Sequence, residues 1–195
     1  MSGRYREFDE EKALKKAADV FWLKGYEAAS TEDLLQAMDL NKGSMYNAFG
    51  NKRELFLKVF HWFAEQFIRN MQETFRKHTD PTKAIKEIFF GVARTVDPIQ
   101  HAKGCFYVNI LGEMSGMDED LVKIARKNLL DVEALFYREI NRGIDEGYIG
   151  TVTTPKALAK YLVNLWNGMS ISRRLYSRKD LEMLVEMNLK VLNKS

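Results

Sequence analysis

Between Ser30 and Gly50 the sequence has room for two helices of about eight residues each, and for nothing larger. Ser30-Thr31-Glu32-Asp33 has the form of a capping box, so a helix opens there and runs to Met38. Asp39 turns the chain. Asn41 then caps a second short helix that ends near Phe49, and Gly50-Asn51 breaks it. Helices this short do not persist alone in water, because nucleation costs more than a few hydrogen bonds recover. The preceding segment offers a support: Leu14, Ala17, Ala18, Phe21 and Trp22 recur at helical spacing, and Gly25 stops that helix. A long helix follows over roughly Lys52 to Lys77, carrying Leu55, Val59, Trp62, Phe63 and Phe67. Two short helices at a tight turn, braced by a longer one, form a helix-turn-helix arrangement.

The remainder also reads as helix. All three prolines lie beyond residue 80. Pro81 after Asp80 and Pro155 after Thr154 have the cap-then-proline order of a helix start, and Pro98 sits in a loop over residues 97–103. Helices are expected at about 81–96, 104–115, 118–146, 155–176 and 178–193. Residues 148–153 look strand-like, and one short strand has no sheet to join. The expected fold is all-α in two domains. A three-helix helix-turn-helix domain covers 1–53, and a larger helical domain covers 54–195, with the boundary at the long fourth helix.

Several function classes lose support. The longest apolar run, residues 88–93, is far short of the ~20 residues a membrane span needs. Arg4 and Arg6 are followed by Glu7, Asp9, Glu10 and Glu11 rather than an apolar signal core. A single cysteine, Cys105, excludes an intrachain disulfide and suits a reducing compartment. A cytoplasmic chain without membrane contact is therefore expected. His101 stands four residues before Cys105, but His61 and His78 are distant and no ligand cluster forms, so no metal is expected. The sequence has no glycine-rich phosphate loop and no nucleophile elbow, and Glu113 lacks a partner for acid–base work. Neither an enzyme nor a cofactor is expected.

Charge is informative only in its distribution. The net charge is +3, and residues 1–53 hold nine basic and nine acidic groups. Residues 40–53, however, carry Lys42, Lys52 and Arg53 and no acid. A local cationic patch suits a phosphate-facing surface, although a plain solvated face has the same composition. Packing claims Leu34, Leu35, Met38, Leu40, Met45 and Phe49. Lys42, Gly43, Ser44, Tyr46 and Asn47 are left over, and these are groups that contact phosphates and base edges.

The run Ser30-Thr31-Glu32-Asp33-Leu34, followed by residues 40–55 (Leu-Asn-Lys-Gly-Ser-Met-Tyr-Asn-Ala-Phe-Gly-Asn-Lys-Arg-Glu-Leu), resembles the DNA-binding domain of the TetR family of bacterial transcriptional regulators. The resemblance covers about residues 8–57. It implies that Thr31, Ser44, Tyr46 and Lys52 contact phosphates and that Lys42, Gly43 and Asn47 face base edges. One departure is Asp39, where the family usually has glycine; aspartate tolerates left-handed geometry better than most residues. Gly104-Cys105-Phe106, Asn109 and Glu113 resemble a segment of some TetR-type ligand domains.

An aromatic-rich bundle can leave a cavity between its helices, and the resemblance implies that a small effector binds there. Phe67, Asn109, Glu113, Trp166 and Asn167 are the candidate contacts. On the last helix Glu182, Glu186, Lys190 and Asn193 form a narrow polar stripe, while apolar residues cover most of the remaining circumference. That is enough for two neighbours, so the final two helices are expected to form a homodimer interface. The expected function is a repressor that leaves double-stranded operator DNA when an effector binds. A helical small-molecule-binding or interaction protein without DNA-binding activity is the alternative.

Overall fold

Among the described residues, eight helices begin where a side chain accepts the orphan amide protons of the first turn. The caps are Asp9, Ser30, Asn41, Asn51, Asp80, Asp118, Thr154 and Ser177. The structure is a computed structural model and describes residues 8–94, 103–151 and 153–193. Among these residues the chain forms α1 (Glu10–Lys24), α2 (Thr31–Met38), α3 (Lys42–Phe49), α4 (Lys52–Lys77) and α5 (Pro81–Ala93). Next come α6 (Phe106–Met114), α7 (Glu119–Asp145), α8 (Pro155–Ser172) and α9 (Arg178–Leu189), then a 3-10 turn at Lys190–Leu192. The expected all-α fold is the one found.

Several boundaries differ from expectation. The helix expected to reach residue 176 ends at Ser172, and the last helix tightens to a 3-10 turn after Leu189. Among the described residues of 148–153 no strand forms; residue 152 lies outside them. The amides of Tyr148 and Ile149 instead both donate to the Gly143 carbonyl, at 2.7 and 2.9 Å, and this folds Ile149 into the core. A Cβ at Gly143 would stand 2.7 Å from both Ile149 Cδ1 and the ring carbon Cγ of Pro81, so this close approach favours a glycine. Pro98, His101 and the last residues of the expected 81–96 helix lie outside the described residues.

Burial falls into two clusters. The first joins α1, α2, α3 and the first half of α4 to Phe106, Tyr107, Ile110 and Met114 of α6 and to the opening of α7. The second joins the end of α4, α5, the rest of α7, α8 and α9. The 26 residues of α4 run through both, about 39 Å of continuous helix. Phe67 and Trp166 pack against both clusters.

Candidate nucleic-acid interface

The turn between α2 and α3 is built as its residues require. Ser30 Oγ accepts from the Asp33 amide at 3.1 Å, and the Asp33 carboxylate accepts from the Ser30 amide at 3.0 Å. Lys24 Nζ lies 2.7 Å from Asp33; its hydrogen bond and those of Ser30 lower the carboxyl to about 2. Asp39 closes α2 in the left-handed region at φ 56° and ψ 43°. Asn41 Oδ1 then accepts the Ser44 amide at 2.8 Å and opens α3.

Packing decides which face of α3 is free. Met45 and Phe49, one turn apart, are buried with Leu34, Met38 and Phe21. Lys42, Gly43, Tyr46 and Asn47 are consequently exposed, with Ser44 partly covered beside them. Tyr46 is 42% exposed, so it is not a core aromatic. The Lys42 ammonium stands 6.0 Å from its ring centroid. A Cβ at Gly43 would meet nothing closer than Asn41 Oδ1 at 3.4 Å, so packing within this chain does not require the glycine. Thr31 and Lys52 are partly buried at the first turns of α2 and α4. Lys52 Nζ donates to the Glu27 carbonyl at 3.2 Å and lies 4.7 Å over the Tyr26 ring.

Two side chains that sequence reasoning did not connect to this surface, Lys58 and Glu113, hold it in place, together with Arg53, which the sequence places in its cationic patch. Lys58 Nζ donates to the Ala48 carbonyl at 2.8 Å, placing a cation at the C-terminal end of α3, where the helix dipole favours one. The Glu113 carboxylate, at the end of α6, accepts from the amides of Tyr26 and Glu27 at 3.0 and 2.9 Å. Arg53 pairs with Asp118, the cap of α7, through Nε at 2.9 Å and a second nitrogen at 3.3 Å, and this holds the Asp118 carboxyl below the ordinary carboxylate range. No sequence spacing links positions 65 or 87 residues apart, so these contacts had no local signal.

The five candidate effector contacts divide into two groups. Phe67 and Trp166 meet edge to face at 5.4 Å, with Asn167 next in sequence to Trp166. Asn109 lies two residues from Tyr107 and so on the opposite face of α6. Its amide donates to the Lys103 carbonyl at 2.7 Å and its oxygen accepts from Arg174 at 2.9 Å. Glu113, as described, holds the α1–α2 loop.

Comparison with known proteins gives the same architecture a lineage. The family model of bacterial regulatory proteins, tetR family, matches residues 13–59, and that of tetracyclin repressor-like C-terminal domains matches residues 92–185. The uncharacterized HTH-type transcriptional regulator YezE of Bacillus subtilis is 33% identical over 162 residues, covering 82% of this chain and 83% of the relative. The HTH-type transcriptional repressor ComR of Escherichia coli is 28% identical, over 88% and 82%. Among solved structures, a cysteine-substituted TetR family regulator CifR, complexed with 26 bp double-strand operator DNA, superposes with a TM-score of 0.81. It is 26% identical and covers 98% of this chain and 100% of its own. Reduced NemR of E. coli shares the fold at a TM-score of 0.83 and 18% identity, over 94% and 97%.

Proposed function

The chain belongs to the TetR family of bacterial regulatory proteins and is a helix-turn-helix transcriptional regulator; on that premise we propose that it is a homodimeric repressor released from its operator by a small effector. The observation that carries this is the outer face of α3, where Lys42, Gly43, Tyr46 and Asn47 are exposed around a helix anchored by Met45 and Phe49. Tyr46, Ser44, Thr31 and Lys52 would position the protein on phosphates. Lys42, Gly43 and Asn47 would read base edges in the major groove. The division into residues 1–53 for DNA and 54–195 for effector and dimer contacts fits this assignment, with Glu113 and Asp118 joining the two.

A further feature supports the dimer. Met183 and Met187 are exposed on α9, as are Ile171 in the last turn of α8 and Leu175 and Tyr176 in the turn that follows it. A two-fold pairing of these helices would set the two α3 helices about 34–36 Å apart, one turn of DNA, or a multiple of that. An effector releases DNA only by binding better to a form with the wrong spacing. Phe67, Trp166 and Asn167 are the proposed contacts for it. Glu113 would instead carry the change to the α1–α2 loop, while Asn109 ties α6 to Lys103 and Arg174. Retardation of DNA from upstream of the protein's own gene, in the presence of excess unrelated DNA, tests the proposal directly. A complex that survives the competitor and dissolves on adding cell extract is the expected result. Absence of any complex favours a helical binding protein without DNA function.

A further inference from the structure

The two buried cores meet along an aromatic seam. Phe67 of α4 and Trp166 of α8 pack against both cores, their ring centroids 5.4 Å apart. Tyr107 of α6 stands on another flank of Phe67, at 5.7 Å. Aromatic side chains with a polar end normally find a hydrogen-bond partner when buried. Here they do not. The indole nitrogens of Trp22, Trp62 and Trp166, the chain's three tryptophans, are buried without a protein partner, as are the Tyr107 hydroxyl and the Asn167 side-chain oxygen.

We infer that this seam takes an uncharged aromatic carbonyl compound in place of the Phe67 ring, its oxygen accepting from the Tyr107 hydroxyl and the Trp166 indole N–H. The inference rests on the effector reading above and names the chemistry of that effector. Because the Phe67 ring packs against both Tyr107 and Trp166, a planar molecule in its place lies against the two rings that carry these donors. Phe67 is only partly buried, so its ring can swing outward. The two rings flanking Phe67, Tyr107 and Trp166, each offer a proton without a protein acceptor, which calls for an acceptor and disfavours both a hydrocarbon and an ammonium. Burial pushes the Tyr107 phenol far above its ordinary value, so it remains a donor.

An anion is disfavoured for a separate reason. The charge of Asp131 acts on Tyr107, so a carboxylate accepting from its hydroxyl would meet a like charge as well as the cost of desolvation.

Three naphthalenes of similar shape separate these cases: 2-acetylnaphthalene, 2-methylnaphthalene and 2-naphthoate, each titrated into the full-length protein while tryptophan fluorescence is recorded. The acetyl compound should bind at least tenfold tighter than either of the others and should lower operator affinity. Tyr107→Phe keeps the ring packing and should bring the acetyl compound down towards the affinity of the methyl compound, leaving the latter unchanged. If a variant misfolds by circular dichroism, the ligand series on the unsubstituted protein decides alone. Equal affinity for acetyl and methyl compounds, tighter binding of naphthoate, or no binding of any probe up to its solubility overturns the inference. Operator binding that cell extract still releases, with none of these probes bound, overturns only the ligand chemistry. Failure to bind upstream DNA at all removes the effector reading itself.

Discussion

Tyr46 is exposed on a helix whose neighbours Met45 and Phe49 are fully buried, so its replacement tests DNA contact with little cost to packing. Tyr46→Ala should weaken specific and unrelated DNA alike without altering the salt dependence, since a neutral hydroxyl displaces no counterion. Lys52→Ala should weaken both and also reduce the salt slope by about 1. Lys42→Ala and Asn47→Ala should instead change which operator bases matter. Fluorescence anisotropy at several salt concentrations reads all four, and unchanged affinity in Tyr46→Ala and Lys52→Ala would refute the phosphate assignment. Asp39 offers a second test at this scale, because its φ of 56° is the one positive value among the described non-glycine residues. Asp39→Gly should leave Tm unchanged or raise it. Asp39→Val should cost about 1–2 kcal/mol, or roughly 3–6 °C in a chain of this size. Equal melting of all three forms would mean that the turn is not under this constraint.

At the scale of elements, the helix-turn-helix is held from a distance. The α1–α2 loop has no side chain of its own domain on the Tyr26 and Glu27 amides; Glu113 at the end of α6 supplies both acceptors. Glu113→Ala should therefore cost about 2 kcal/mol, the scale of a hydrogen bond to a charged group. It should also lower operator affinity several-fold, because the loop sets where α2 begins. Thermal melting and anisotropy together check this, and a variant with unchanged Tm would show that the carboxylate does not hold the loop. The sequence resemblance placed Glu113 among effector contacts. Its geometry assigns it to the joint between α6 and α1, a role no local pattern could reveal.

For the whole molecule, α9 separates two apolar faces. Leu181, Val185, Leu189 and Leu192 are buried within the chain, whereas Met183 and Met187 are exposed. Val191 packs partly against its own core, so a charge there would disturb folding as well as association. Met183→Asp with Met187→Asp should produce a folded monomer in sedimentation, with operator binding weakened at least tenfold by loss of the paired half-site. A double variant that stays dimeric with unchanged affinity would place the interface elsewhere.

The helical class, the two short helices and the outward face of α3 were legible in the sequence, because caps, stops and apolar spacing act over one to four residues. Ser30, Asn41 and Asn51 each cap a helix through a residue three positions on, and Met45 and Phe49 define the inner face by spacing alone. The left-handed geometry of Asp39 was legible only through the family resemblance, which has glycine at that place in the turn. The partners of Glu113, Arg53 and Lys58, the folding of residues 148–149 back onto Gly143, and the meeting of Phe67, Tyr107 and Trp166 did not follow. Each joins separate helices or a turn to a helix end, so its geometry is set by how helices cross and how side-chain volumes fill the space between them. Periodicity can say that Phe67 and Trp166 turn inward. Only the crossing of α4, α6 and α8 puts them in one seam.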